Sequence, residues 1–157
     1  MNKKIQKIFA SALIISSISF STSCTKTEGC TDPTSENYDP EAELENNTCV
    51  TQRQKFLGLF LADGLCSSGN QSQGYFVEVR KSNQNLDDIL LFNIGNNFIN
   101  PVVALVNQNQ ITIDRQDPDA IGRYISGSGS IIGTKLTLSY NIKFGSSEID
   151  CIWNLEK

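Results

Sequence analysis

The chain contains no histidine, and that absence removes several kinds of chemistry at once. Histidine titrates nearest to neutral pH, and it supplies the general base in Ser-His-Asp and Cys-His nucleophile pairs. It also completes most mixed zinc sites. We therefore predict that the protein is not an enzyme, with clustered carboxylates as the remaining catalytic alternative. Those carboxylates stand in predicted loops, at Asp87, Asp88, Asp114, Asp117 and Asp119.

Positive charge is scarce and scattered. The 157 residues include 13 lysines and arginines against 17 acidic residues, for a net charge of −4. Residues 24–52 hold seven of the acids and one base, whereas residues 53–157 are almost balanced. Proteins that bind nucleic acid or anionic lipid headgroups present a basic surface, so the sequence predicts neither partner.

An apolar stretch long enough to span a membrane is missing as well. The run from Ile8 to Phe20 has 13 residues and includes four serines, whereas a spanning helix needs roughly 20 predominantly apolar residues. Three lysines precede this run, and Ser21-Thr22-Ser23 follow it. A basic head, a short apolar run and small residues predict a signal peptide at residues 1–23.

The next residue, Cys24, makes this segment resemble the signal of a bacterial lipoprotein. The resemblance implies cleavage before Cys24 and several acyl chains on that cysteine, which would hold the protein firmly on a membrane. Cleavage would remove three lysines and no acids, taking the net charge from −4 to −7. We predict a lipid-anchored protein on the periplasmic or cell-surface face of the outer membrane. A plain secretory peptide beside a chance cysteine is the alternative.

Four further cysteines, Cys30, Cys49, Cys66 and Cys151, are an even number in a predicted exported chain, which indicates disulfide bonds. Four cysteines allow three connectivities. The simplest pairs Cys30 with Cys49 around the acidic segment, and Cys66 with Cys151 near the two ends of the remaining domain. A zinc site of four thiolates is the alternative, although close-spaced CxxC pairs are absent.

The segment bounded by Cys30 and Cys49 is too short and polar to bury a core, and it carries two Asp-Pro turn signals. Residues 29–49, GCTDPTSENYDPEAELENNTC, resemble an acidic motif of secreted and surface proteins in one Gram-negative phylum, GCTDxxAxNYDPxAxxDDGSC. The chain departs from that pattern at residues 45–48, and Ser35 or Glu36 replaces the first alanine. The resemblance implies an extracytoplasmic location and no particular activity. The matching residues are Gly29, Cys30, Thr31, Asp32, Asn37, Tyr38, Asp39, Pro40, Ala42 and Cys49.

Hard oxygen ligands also gather in this segment, at Asp32, Asn37, Asp39 and Glu45. Carboxylate and amide oxygens on a cross-linked loop are ligands that Ca²⁺ prefers. Their spacing is not that of an EF-hand, and acidic loops are usually only solvated. We therefore predict a disulfide-closed spacer and no cofactor, with calcium binding at these four residues as the alternative.

Period-2 alternation dominates from Lys55 onward, and it predicts an all-β domain. Eight short strands joined by short turns are typical of an antiparallel up-and-down barrel, or of a sandwich. Closure into a barrel would remove the exposed edges of so many strands. The predicted strands cover residues 57–63, 75–81, 89–94, 102–107, 111–114, 123–132, 135–144 and 148–155.

Two stretches resemble small lipocalin-like barrels. Residues 55–58 (KFLG) with Phe60 resemble the first strand of such barrels. Residues 125–140 (ISGSGSIIGTKLTLSY) resemble a strand–turn–strand of the barrels that follow the acidic motif in similar lipoproteins. The resemblance implies a lipocalin-like barrel of unknown function at residues 53–157. It would follow the signal peptide, residues 1–23, and a lipidated tether with the acidic segment, residues 24–52.

Alternation along residues 123–132 places Gly127 and Gly129 on the face that should point inward. Two glycines there would remove side-chain volume and leave space for a small apolar ligand lined by Tyr140, Ile142 and Trp153. The alternative is that the glycines permit a bend or make room for Trp153 itself. A barrel of eight strands is wide enough either to be filled by its own side chains or to hold one small ligand.

These observations predict a non-catalytic, membrane-anchored binding protein. The first hypothesis is a lipocalin-like carrier or sensor of a small apolar molecule. The second is a structural or adhesive surface module with a solid barrel whose loops contact a protein or glycan. A small hydrolase that uses loop carboxylates such as Asp88 and Asp117 is a distant third.

Overall fold

The computed structural model describes residues 26–69 and 71–157. The predicted signal peptide and the predicted acylated residue, Cys24, lie outside the described residues. Two short 3₁₀ helices cover Gln52–Phe56 and Ile94–Asn96. The described strands, in chain order, are β1 Glu28–Gly29, β2 Leu44–Glu45, β3 Gly58–Cys66, β4 Gln71–Lys81, β5 Asp88–Phe92, β6 Val102–Asn107, β7 Gln110–Gln116, β8 Arg123–Ile132, β9 Lys135–Phe144 and β10 Ser147–Glu156.

Strands β3 to β10 form a closed antiparallel barrel in which each strand pairs with the next along the chain. The last strand, β10, returns to pair with β3. This arrangement confirms the predicted eight-stranded up-and-down barrel and rejects the sandwich. Each predicted strand overlaps an observed one, and the bounds of β6, β8 and β9 agree with the prediction at both ends.

Alternate side chains of each strand fill the barrel, as the period-2 pattern predicts. Along β9, the residues from Leu136 to Ile142 alternate between the core and the outside. Phe144 continues this alternation but is 56% exposed, because it ends the strand at the rim of the barrel. Trp153 of β10 is also buried, between Cys151 and Leu155 on the inward face of its strand.

Two disulfide bonds join the predicted pairs, Cys30–Cys49 and Cys66–Cys151. The second links residues that lie directly opposite each other in the β3–β10 pairing. In the chain-entropy model, a bridge across 85 residues contributes about 4.5 kcal/mol, against about 3 kcal/mol for the shorter loop. The Cys66–Cys151 bond therefore secures the pairing that closes the barrel.

Three glycines stand directly opposite large inward residues on a neighbouring strand. The pairs are Gly64 with Trp153, Gly127 with Tyr140 and Gly129 with Leu138. A Cβ atom on Gly64 would overlap the indole ring of Trp153, and one on Gly127 would lie 2.6 Å from the Tyr140 Cβ. The glycines thus let backbones and bulky side chains approach closely, rather than leaving open space.

One end of the barrel, here called the closed end, is covered by the 3₁₀ helix Gln52–Phe56. The Phe56 side chain is fully buried, and Arg53 is 8% exposed. The Arg53 Nη1 atom lies 3.0–3.2 Å from the carbonyl oxygens of Ser82, Asn85 and Asp88. This buried guanidinium therefore fixes the β4–β5 connection across the end of the barrel.

The acidic segment precedes this helix and contacts the closed end. Its Glu36 carboxylate accepts a hydrogen bond from Lys55 Nζ at 2.6 Å, and Lys55 also donates to Asn109 in the β6–β7 turn. The opposite end, here called the mouth, carries the β3–β4, β5–β6, β7–β8 and β9–β10 connections. Within the described part of the chain, no helix is long and apolar enough to cross a bilayer.

We predict that Gly127→Ala destabilises the barrel by about 1–3 kcal/mol. A Cβ there would collide with the Ser139 carbonyl oxygen of β9, which belongs to the backbone and cannot rotate away. The smaller unfolded-state gain of a Gly-to-Ala change, about 0.4–1 kcal/mol, would not offset this overlap.

The free energy of unfolding in urea measures the effect. The matched control is Ser128→Ala, on the exposed face of the same strand, which should change stability by less than about 0.5 kcal/mol. If Gly127→Ala unfolded at the same urea concentration as the control, the close approach of β8 and β9 would not require glycine.

Candidate ligand site at the mouth of the barrel

A cavity of about 290 Å³ lies at the mouth of the barrel. Its wall comes from several strands and from the β3–β4, β5–β6 and β7–β8 connections, so residues far apart in sequence share it. The wall is mainly apolar and includes both cysteines of the barrel disulfide. The lining residues are Cys66, Ser68, Gly95, Asn97, Ile121, Arg123, Ile142, Phe144, Ile149, Cys151 and Trp153.

The indole of Trp153 forms the inner part of this wall. It packs on Gly64 and makes an edge-to-face contact with Tyr75, with ring centroids 5.0 Å apart. The Tyr75 hydroxyl accepts a hydrogen bond from the Gly95 N–H at 2.8 Å. Burial raises the pKa of Tyr75 to about 12, although this hydrogen bond opposes the shift. Tyr75 therefore stays protonated and couples the Trp153 ring to the β5–β6 connection.

Gly95 is required at its position by both conformation and space. Its φ of 58° lies in the left-handed region, which favours glycine. A Cβ atom there would lie 2.6 Å from the Tyr140 hydroxyl and 2.6 Å from the Asn97 Nδ2 atom. The backbone at Gly95 therefore lies directly against the buried Tyr140 hydroxyl.

Arg123 brings a charge to the mouth, and Asp119 neutralises it. The Arg123 Nη2 atom donates to Asp119 Oδ2 at 2.9 Å, and the guanidinium stacks on the Phe98 ring at 4.7 Å. The Asp119 carboxylate also accepts the backbone N–H groups of Ile99 and Asn100. The Asn100 N–H is the main cause that holds the pKa of Asp119 below its usual value, and Arg123 lowers it further.

Three buried side-chain atoms in the described part of the chain have no hydrogen-bond partner, and all three belong to this region: Arg123 Nε, Tyr140 Oη and Trp153 Nε1. Trp153 and Tyr140 are 2% and 3% exposed. Burial raises the pKa of Tyr140 strongly, and the Tyr75 phenol adds to the shift. The nearby Trp153 N–H opposes it, but the two groups do not meet the geometry of a hydrogen bond.

The predicted pocket residues separate into two groups. Ile142 and Trp153 line the cavity, and the Tyr140 hydroxyl lies next to it, beneath Gly95. Gly127 and Gly129 do not line it, because the neighbouring strand β9 occupies the space beside them. Gly64 of β3 provides the room for Trp153 instead, and no sequence pattern indicates this role.

Arg123, Asn97 and Gly95 also line the cavity, and no sequence pattern indicates them. The last two stand in a connection whose path no periodic pattern describes. Arg123 begins a predicted strand, where a charged residue is common. The sequence does not indicate that the Asp119 carboxylate lies beside it. The signal that could have indicated this region is the single tryptophan near the end of the chain, because a buried indole needs a partner for its N–H.

The four predicted calcium ligands each make hydrogen bonds within the acidic segment. Asp32 accepts from the Thr34 N–H and hydroxyl, and Glu45 accepts from the N–H and hydroxyl of Thr31. These bonds lower the pKa values of both carboxyls. Asp39 accepts from the Glu41 N–H, and Asn37 bonds to the backbone of Thr48 and Val50.

The carboxylates of Asp32, Asp39 and Glu45 do not form a group whose oxygen atoms all lie within 4.8 Å of one another. Among the described residues, the one group of carboxylates and sulfurs close enough to share an ion is Cys30, Glu45 and Cys49, and both sulfurs are in the disulfide. Asn47, which replaces the glycine of the motif, has a left-handed φ of 61° that asparagine tolerates. The motif residues thus hold the shape of the loop.

We predict that the backbone amide signals of Ile99 and Asn100 follow the ionisation of Asp119. The lowered pKa of Asp119 means that its hydrogen bonds persist throughout the usual range of carboxylate titration and are lost only at lower pH. An NMR titration of the two amide protons measures this. Their shifts should be absent in Asp119→Asn, and a midpoint at or above the ordinary aspartate pKa would contradict the assignment.

A comparison with protein-family models found no match to this chain, and a search of curated proteins found no significant match.

Proposed function

We propose that this is an exported, lipid-anchored binding protein whose barrel holds one small, largely apolar molecule at its mouth. The observation that supports this proposal best is the 290 Å³ cavity, with its mainly apolar wall and a few polar groups. Small-molecule sites in proteins are concave, mostly apolar and furnished with a small number of polar side chains. The cavity has that composition.

The size of the cavity limits the ligand. An engineered apolar cavity of about 150 Å³ holds benzene, so a cavity of about 290 Å³ has room for a molecule of roughly two rings. Ligand sites of drug-sized molecules span about 300–1,000 Å³. The proposed cargo is therefore smaller than a long-chain lipid.

The two ends of the barrel are unequal in a way that suits a tethered binding protein. Phe56 and Arg53 fill the closed end, and the acidic segment that leads to the predicted anchor at Cys24 enters there. The cavity lies at the other end. A protein anchored through Cys24 would thus carry its mouth on the side of the barrel that lies away from the tether.

A second candidate function is a structural or adhesive surface module, and the outer face of the barrel favours it. Leu61 pairs with Phe76 across β3 and β4, and Leu65 pairs with Ile152 across β3 and β10. All four side chains point outward and are 43–58% exposed. Neighbouring exposed apolar residues of this kind mark protein contacts.

We predict that the protein carries a small molecule when it is purified from membranes of its source organism. Native mass spectrometry after release from the anchor should show an extra mass that disappears on denaturation. Ile142→Phe adds volume to the cavity wall and should abolish this mass. Ile132→Phe makes the same chemical change at a residue that is 81% exposed and outside the cavity, and should retain it.

Circular dichroism would establish that both variants fold, and Ile149→Phe, at another position in the wall, serves if Ile142→Phe does not. Loss of the extra mass in the Ile132→Phe control would show that the molecule binds elsewhere. A wild-type protein with no extra mass would favour the surface module, and partners of the Leu61–Phe76 face would then be sought.

A further inference from the structure

We infer that a second binding site lies at the closed end of the barrel, where Arg53 and Lys81 receive the oxyanion of a small acidic sugar. The oxyanion is the carboxylate of a uronic acid or the phosphate of a sugar phosphate, since both present paired oxygen atoms. This site goes beyond the proposed function, because it lies at the opposite end from the mouth cavity and takes a polar, charged ligand.

The site, here called the closed-end groove, consists of two cavities that share Arg53 and Lys81. One cavity, of about 230 Å³, lies against the β4–β5 connection at residues 81–86. The other, of about 470 Å³, lies against residues 49–51 and the 3₁₀ helix Gln52–Phe56. A cavity of about 150 Å³ holds benzene, so either one has room for a single sugar ring. A ligand held by the two shared basic residues could therefore extend into either cavity.

Arg53 keeps one edge of its guanidinium free for a ligand. The three carbonyl oxygens that hold this side chain are all bonded to Nη1. The Nε and Nη2 atoms make no hydrogen bond to the described residues, and neither is among the fully buried atoms that lack a partner. Both are therefore accessible to solvent. These two N–H groups form the edge that binds two oxygen atoms of a carboxylate or phosphate in parallel.

The positive charge of the closed-end groove is not neutralised within the described part of the chain. All four ion pairs among the described residues involve other basic residues, so Arg53 and Lys81 have no carboxylate partner there. No acidic residue lines either cavity. This is unusual in a chain whose acidic residues outnumber the basic ones by 17 to 13. The groove therefore favours a negatively charged group, which forms stronger hydrogen bonds with a guanidinium than a neutral group does.

The remainder of the wall favours hydroxyl groups. Ser82, Asn83 and Gln84 line the first cavity, and Thr51 and Gln54 line the second. Side-chain hydroxyls and amides both donate and accept hydrogen bonds, as the hydroxyls of a sugar do. An acidic sugar combines these hydroxyls with one oxyanion, so it suits both the charged and the neutral parts of the groove.

Four compounds test this inference: glucuronate, glucuronamide, glucose 6-phosphate and acetate. Glucuronamide has a neutral amide in place of the carboxylate on the same ring, and acetate has the carboxylate without the ring. The protein used is the chain without residues 1–24, which retains every described strand and both disulfides. The backbone amide signals of residues 51–54 and 82–85 report binding in NMR titrations. Low salt is required, because ions screen accessible charges.

We expect glucuronate to bind at least about tenfold more tightly than glucuronamide, because a charged, bidentate contact distinguishes the two compounds. Acetate should bind more weakly than glucuronate, since it lacks the hydroxyl groups. The tighter of glucuronate and glucose 6-phosphate identifies the oxyanion as carboxylate or phosphate.

Three results would overturn the inference. Equal binding of glucuronate and glucuronamide would show that the groove does not require a charge. Acetate binding as tightly as the acidic sugars would show that the groove does not recognise hydroxyl groups. Failure of all four compounds to bind would remove the site, and the proposed function at the mouth would be unaffected.

Two lysine variants locate the binding. Lys81→Gln removes a charge from the groove and should weaken both acidic sugars about two- to fivefold, as expected for an accessible charged pair. The matched control is Lys143→Gln, which removes the same charge from β9 outside both cavities and should leave the affinities unchanged. Equal effects of the two variants would indicate a general attraction of charge and contradict the groove.

Two further variants test the bidentate edge and the independence of the mouth. Arg53→Lys keeps the charge but loses the paired N–H groups, and should reduce the preference for glucuronate over glucuronamide. If circular dichroism shows that Arg53→Lys does not fold, the two lysine variants still decide the question. Ile142→Phe, in the wall of the mouth cavity, should leave the binding of acidic sugars unchanged. Loss of that binding in Ile142→Phe would place the sugar at the mouth and overturn the inference.

Discussion

The structure depends on the pairing of β10 with β3, because this pairing turns an open meander of eight strands into a closed barrel. An open sheet of this size would expose two unpaired edges, whereas a closed barrel has none. The Cys66–Cys151 disulfide links directly opposed residues of the two strands and therefore secures the register as well as the closure. The same register sets Trp153 opposite Gly64, where its ring has room. The closing contact thus positions the largest side chain of the mouth cavity and supplies part of its wall.

Alternation of apolar and polar residues was sufficient to predict the eight strands and the barrel. It could not predict which residue of the adjacent strand lies opposite each residue, because that depends on the strand register. Gly127 and Gly129 therefore looked like missing volume in the sequence, whereas the structure places each opposite a bulky residue of β9. Gly64 likewise stands opposite the bulky side chain of Trp153, and this follows only from the β3–β10 register. Phe144 continues the apolar pattern of β9 past the end of the core, since periodicity does not indicate where a barrel ends.

The acidic segment shows a similar limit. Several carboxylates in one short loop indicate a metal site in the sequence, because the sequence shows the oxygen ligands but not the groups to which they are hydrogen-bonded. In the folded segment, however, the Asp32 and Glu45 oxygens are each bonded to N–H and hydroxyl groups of the same loop. A segment of this length cannot bury a core, so hydrogen bonds and the Cys30–Cys49 bridge must fix its shape. Of the residues that make these contacts, Thr31 and Asp32 match the motif, whereas Thr34 and Glu45 do not.

The two ends of the barrel each contain a largely buried arginine, and the difference between them points to the functional end. Arg53 at the closed end is surrounded by three backbone carbonyl oxygens. Arg123 at the mouth is bonded to Asp119, yet its Nε has no partner, and Trp153 and Tyr140 nearby share that condition. The buried arginine at the closed end has hydrogen-bond partners, so the fold can satisfy buried polar groups. Folding alone therefore does not require that three buried polar atoms at the mouth lack partners. Natural proteins leave local interactions incomplete mainly at functional sites, where a less stable arrangement serves the function.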